Sequence, residues 1–121
     1  MSDHNPRFIE VSTLEKAKNE ILKIGSDPKS IDIMAPKAIL KVIKLEKIKP
    51  QDAIIIKQDM LSLGGEVAIP KDAFELKEKT ANILIFGTVK QLFELVEKLK
   101  RHYSRIQNIS NELEVLLKSI I

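Results

Sequence analysis

Residues 51–68, QDAIIIKQDMLSLGGEVA, hold a helix, its stop and a strand in immediate succession, and no other stretch constrains the chain as tightly. Pro50 suits the first helical position, where its missing N–H leaves no bond unmade. Ala53, Ile56, Met60 and Leu63 then recur at helical spacing. Gly64-Gly65 supplies a left-handed stop, and a strand over 66–69 follows at once.

The flanking segments carry the same kind of local signal. Arg7-Phe8-Ile9-Glu10-Val11 is a short strand candidate, and Ser12-Thr13-Leu14-Glu15 forms a capping box opening a helix with Leu14, Ala17, Ile21 and Ile24 on one face. Gly25 ends that helix. Asp27-Pro28 caps a short helical turn through Met34, Ala35-Pro36 pushes the backbone extended, and a strand over 38–45 comes next. Residues 70–80 carry no clear period, and a brief strand at 74–76 is one option there. Ile83-Leu84-Ile85-Phe86 is a continuous apolar run, as in a central strand covered on both faces, and Gly87 lets the chain turn. Thr88 and Gln91 make a second capping box for a helix striped by Val89, Leu92, Val96 and Leu99, with Phe93 and Leu95 widening the stripe. A last helix over 110–121 buries Ile109, Leu113, Leu116 and Ile120, with Leu117 alongside.

Strands alternating with helices predict an α/β fold: a small, mostly parallel or mixed sheet of about four strands with packed helices in a single domain. A chain of 121 residues is of ordinary single-domain size and can bury a core without staples. The expected division is a disordered N-terminus over 1–6, the α/β domain over 7–103 and a C-terminal helical segment over 104–121. The sequence has no cysteine, which removes disulfides and zinc–cysteine sites. It shows no signal peptide and no long apolar run, so the expected location is the cytoplasm, away from membranes. The formal charge of +3 arises from 20 basic and 17 acidic residues, a near-balanced mixture that does not mark a specific nucleic-acid binder.

Catalytic groups are sparse. His4 lies near the start and His102 just past a helix end, with no cysteine to complete a metal site. The carboxylates are interleaved with lysines, as on solvated helix faces, and no spacing singles out an acid–base pair. Gly64-Gly65 follows a helix, whereas phosphate-cradling glycines sit between a strand and the helix after it. Gly87 and Thr88 do occupy such a junction and form a weak anion-site candidate, against the plainer reading of a helix cap. One tyrosine and four phenylalanines, scattered, provide no stacking platform for single strands.

One helix has a phase anomaly. Lys57 has Ala53, Ile54, Met60 and Leu61 as its neighbours on the apolar face, while Ile55 stands among Gln51, Asp52, Gln58 and Asp59. Lys57 must snorkel to water, pair with a carboxylate, or meet a counter-charge from a partner or ligand. Snorkelling is the plainest of the three. Ile55, Lys57 and Gln58 thereby define a candidate contact face.

The runs Ile56-Lys57-Gln58-Asp59-Met60-Leu61-Ser62-Leu63-Gly64-Gly65-Glu66-Val67-Ala68 and Leu84-Ile85-Phe86-Gly87-Thr88 resemble the N-terminal extension that precedes the catalytic barrel in some bacterial dihydropteroate synthases. Met34-Ala35-Pro36-Lys37-Ala38, Gln91 and Leu99-Lys100 belong to the same resemblance, which spans residues 27–101. It implies a place in folate biosynthesis, where the synthase joins a dihydropterin pyrophosphate to p-aminobenzoate in a TIM barrel. It also implies that 104–121 acts like a linker helix. The barrel's opening strand, Asn followed by Thr-Pro-Asp-Ser-Phe, has no counterpart here, and a barrel needs about 250 residues. The expectation is therefore a noncatalytic accessory domain without cofactor or metal. It would contact a synthase barrel, in cis or in trans, or a second copy. Two alternatives stand beside it. One is a nucleic-acid-binding module using Lys37, Lys41, Lys44, Lys47 and Lys49, opposed only by Glu46. The other is a small enzyme or ligand binder using Lys57 or the Gly87-Thr88 turn.

Overall fold

The computed structural model describes residues 3–75 and 79–121, with the side chain of Phe74 outside the description. The elements are α1 (Leu14–Ile24), α2 (Pro28–Met34), a 3₁₀ turn (Ala35–Lys37), β1 (Leu40–Ile48), α3 (Pro50–Ser62), β2 (Glu66–Ala68), a second 3₁₀ turn (Lys71–Glu75), β3 (Ala81–Thr88), α4 (Val89–Leu99) and α5 (Ser104–Lys118). The strands form one sheet in the order β1-β3-β2, and both pairings are antiparallel.

This corrects the expected mostly parallel sheet of four strands to an antiparallel sheet of three. The cause is a split crossover. β1, α3 and β2 do form a strand–helix–strand unit whose strands run the same way, since each is antiparallel to β3. They are not neighbours, however: β3 returns through the gap between them. Alternation of strands and helices along a sequence does not distinguish this arrangement from adjacent parallel strands. Residues 7–11 join no strand ladder in the described structure.

β3 is central, as expected, but it is covered on one face. Ala81, Ile83, Ile85 and Gly87 point into the helices and are buried, whereas Asn82 and Leu84 are exposed. The core joins Ile43, Val67, Ile83 and Ile85 of the sheet to Ile56 and Met60 of α3, to Leu92, Leu95, Val96 and Leu99 of α4 and to Ile106, Leu113 and Leu117 of α5. Each fully buried aliphatic chain of this kind stabilises the fold by about 1.5–3 kcal/mol. Helices gathered on one face of an antiparallel sheet make the architecture α+β.

Local corrections follow from packing and capping. α1 is capped by Thr13, whose side chain accepts from Lys16 N, so the cap lies one residue beyond Ser12. Asp27 caps α2 by accepting from Lys29 N at 3.0 Å, as the sequence indicates. Ala35 keeps helical angles before Pro36 instead of extending. It is fully buried with Ala17, Ile39 and Val89, and this packing overrides the extended bias of a residue before proline. α5 starts at Ser104, six residues ahead of the expected 110, and buries Leu117 while leaving Leu116 exposed. β1 runs on to Ile48 through a bulge after Leu45, where Lys47 takes φ 57 and its N–H reaches Asn82 Oδ1. At 74–76, Phe74 and Glu75 belong to a 3₁₀ turn, not a strand, and Leu76 lies outside the described residues. Gly64, at φ 91, supplies the left-handed stop of α3, a conformation that side-chain-bearing residues rarely adopt.

Candidate functional site

The residues singled out in α3 are parted by the fold. Lys57 neither snorkels nor waits for a partner. Its Nζ donates to Glu66 Oε1 at 3.0 Å and to the Val67 carbonyl at 2.7 Å, and Glu66 Oε1 accepts in turn from Val67 N at 2.8 Å. The Val67 backbone bond and the Lys57 ammonium hold the Glu66 carboxyl below its ordinary value. Val67 pairs with Ile85 while both its own N–H and C=O point away from β3, so the Lys57–Glu66 pair closes the outer edge of β2. Ile55 is half-buried and packs against the main core. Gln58 is exposed.

The Gly87-Thr88 junction is filled by its own helix. Thr88 Oγ1 accepts from Gln91 N at 3.1 Å, and Gln91 Oε1 accepts from Thr88 N at 2.9 Å, the reciprocal bonds of a capping box. Gln91 Nε2 also donates to the Leu63 carbonyl, tying the end of α3 to the start of α4. A Cβ on Gly87 would lie 2.6 Å from Met60 Cε and 2.8 Å from Gln91 Oε1, so this glycine serves close packing of β3 under α3; it is paired with Lys41 inside β3 and takes no left-handed φ, so it does not make the turn expected of it. Lys37, Ser62, Lys90 and Glu94 rim a shallow depression around Thr88.

The most heavily engineered polar group is one that sequence reasoning placed on a polar helix face. Asp52, in the first turn of α3, is 1% exposed. It accepts from Arg105 Nε at 2.5 Å and from Arg105 Nη2 at 2.9 Å, and the Tyr103 hydroxyl also donates to it. Arg105 lies over the Tyr103 ring, 4.9 Å from its centroid. Burial alone would raise the Asp52 carboxyl, but the Arg105 and Tyr103 hydrogen bonds and the charges of Arg105 and Lys49 outweigh it and leave the group lowered. Partial desolvation, with Asp52 next to it, pushes the hydroxyl of the more exposed Tyr103 up. One turn pair further along α3, Asp59 Oδ2 lies 2.7 Å from His102 Nε2. Two acids of α3 thus hold the connection from α4 to α5. No local sequence signal reveals this, because the partners lie 51, 53 and 43 positions apart.

Among the described residues no group of three or more His, Asp or Glu side chains could hold a metal ion, and no helix is long and apolar enough to cross a membrane. The basic residues around β1 do not share one surface: Lys44 is exposed on the open face of the sheet and Lys41 is half-buried on the other.

Fold and site together define a small α+β domain whose polar clusters serve its own architecture. The chain is 28% identical, over 102 residues, to the bifunctional dihydropteroate synthase/dihydropteroate reductase of Helicobacter pylori; the match takes in 84% of this chain and 27% of that protein. The chain therefore spans about a quarter of the relative's length. No protein-family model and no solved structure matches it.

Proposed function

We propose that this chain is a noncatalytic accessory domain in folate biosynthesis, associated with dihydropteroate synthase and acting by protein contact. The carrying observation is the similarity to a quarter of a synthase-bearing bifunctional protein, by a chain whose three-stranded sheet is not part of a TIM barrel. A barrel needs about 250 residues, so synthase chemistry belongs to another part of the relative. The exposed surface of α3 around Gln58 is the proposed contact, with Ile55 and Lys57 beneath it as support.

Two measurements test this reading. The purified chain is assayed for condensation of the pterin and p-aminobenzoate substrates and for reduction of dihydropteroate, and its association with a synthase barrel is followed by sedimentation. Association without turnover is the expected result. The reductase half of the relative's name supplies a second reading, and reductive turnover by this chain alone would put it in place of the first. The nucleic-acid reading predicts submicromolar, sequence-selective binding at physiological salt. The division of Lys41 and Lys44 between the two faces of β1 argues for a weak, salt-sensitive interaction at most.

A further inference from the structure

The two edges of the sheet are finished differently. The outer edge of β2 is closed at Val67 by Lys57 and Glu66. β1 pairs with β3 on one side, and among the described residues no strand ladders onto the other. Ahead of its bulge this open strand presents Leu40 and Val42, 64% and 59% exposed. A groove of about 170 Å³ runs beside it, lined by Lys41, Val42 and Ile43 together with Leu116, Leu117 and Ile120. An unpaired edge of this kind is a template for another strand.

The chain also carries a strand-like segment without a sheet. Residues 7–11, Arg-Phe-Ile-Glu-Val, carry the aromatic and β-branched residues of a strand, yet Phe8 is fully exposed and Ile9 half exposed. Val11 is anchored against the small cluster of Ala17, Ile39 and Val89, which leaves 7–10 projecting from the body. In extended backbone Arg7 and Ile9 share one face and Phe8 and Glu10 the other. With Ile9 set against Ile43 in an antiparallel register, Ile9 suits the groove of Ile43, Leu117 and Ile120, while on the open face Glu10 lies opposite Val42 and diagonal to Lys44, and Phe8 lies opposite Lys44. The lengths agree as well, since β1 offers residues 40–45 before its bulge.

We propose that residues 7–10 of a second copy of this chain add to the free edge of β1 as a fourth, antiparallel strand, and that the exchange is reciprocal. The occupant is a second copy because the segment stands clear of its own β1, with Phe8 fully exposed. Mutual donation makes a closed two-fold contact, and both open edges disappear in it. Lysines on an edge strand ordinarily discourage such pairing. Here Glu10 supplies the opposing charge on the face of Lys44.

Sedimentation velocity of the full chain over a concentration series tests the proposal. A dimer is expected for the natural sequence, and loss of that dimer for Ile9→Asp, whose circular dichroism still reports a folded domain with a cooperative melt because Ile9 lies outside the core. A second experiment uses the absence of native cysteine. Glu10→Cys and Val42→Cys chains, each carrying one thiol, are mixed and joined with a short bismaleimide, and a crosslinked heterodimer is expected from the mixture. A monomer at every concentration overturns the proposal, and so does a dimer that Ile9→Asp leaves intact.

Discussion

Asp52 shows how a single side chain can fix the relation of two helices. Its carboxylate accepts from Nε and Nη2 of Arg105 and from the Tyr103 hydroxyl, so the start of α5 is held against the start of α3. Removing one partner of a buried pair strands the other charge, at a cost of roughly 3–5 kcal/mol. Arg105 itself is 39% exposed, so Arg105→Ala is expected to lower the urea-denaturation midpoint, by less than the loss of a fully buried partner would. The pH dependence has a definite sign. The folded-state carboxyl lies below its ordinary value, so its contribution is complete above that value and is lost as pH falls through the lowered one. The natural chain should therefore lose more stability than Arg105→Ala between neutral pH and acid. Lys57 allows a second test. A snorkelling lysine would tolerate Lys57→Met, but the paired one gives up a carboxylate and a carbonyl contact, so a loss of about 1 kcal/mol is expected in thermal melts. The Glu66 carboxyl should rise toward its ordinary value in the same variant, read by NMR titration. Lys57 was legible as an anomaly in the sequence because helical neighbours are fixed by spacing. Its partner was not, because Glu66 reaches it across the turn from the following strand.

At the scale of elements, α3 rewards a distinction between period and burial. The apolar positions Ala53, Ile56 and Met60 are buried where helical spacing puts them, and the Thr88–Gln91 box caps α4 as the sequence indicates. Both signals are local and survive folding, whereas the extended bias of Ala35 before Pro36, equally local, is overridden by packing. Ile55 was placed by the same spacing on a polar face, yet it packs against the core because α3 is approached from more than one side. Ile55→Asp is accordingly expected to destabilise the fold by about 1–3 kcal/mol, whereas Gln58→Glu should stay within about 0.5 kcal/mol in chemical denaturation. Gln58→Glu is then the cleaner probe of the proposed contact surface, since folding is left alone and any change in association is read directly. The segment 7–11 is the converse case. Its residue types are those of a strand, but a ladder needs a partner, and residue type carries no information about where that partner lies.

For the whole molecule, the helices and strands were legible from spacing and caps, while the topology was not. Antiparallel insertion of β3 is decided by long-range pairing of residues such as Leu40 with Thr88 and Val67 with Ile85, and by helices gathering on a single face. The insertion has a consequence for the order of synthesis. A ribosome releases β1 and β2 before the strand that joins them, so the nascent chain has no hydrogen-bonded strand pair until β3 emerges. A backbone cut in the connection between β2 and β3 would leave one piece with two strands that are not neighbours and the other with their common mate. Neither piece could build a sheet alone. Expressed together they should recover the native circular dichroism spectrum, and expressed apart they should not, which would make this domain a natural template for a split reporter.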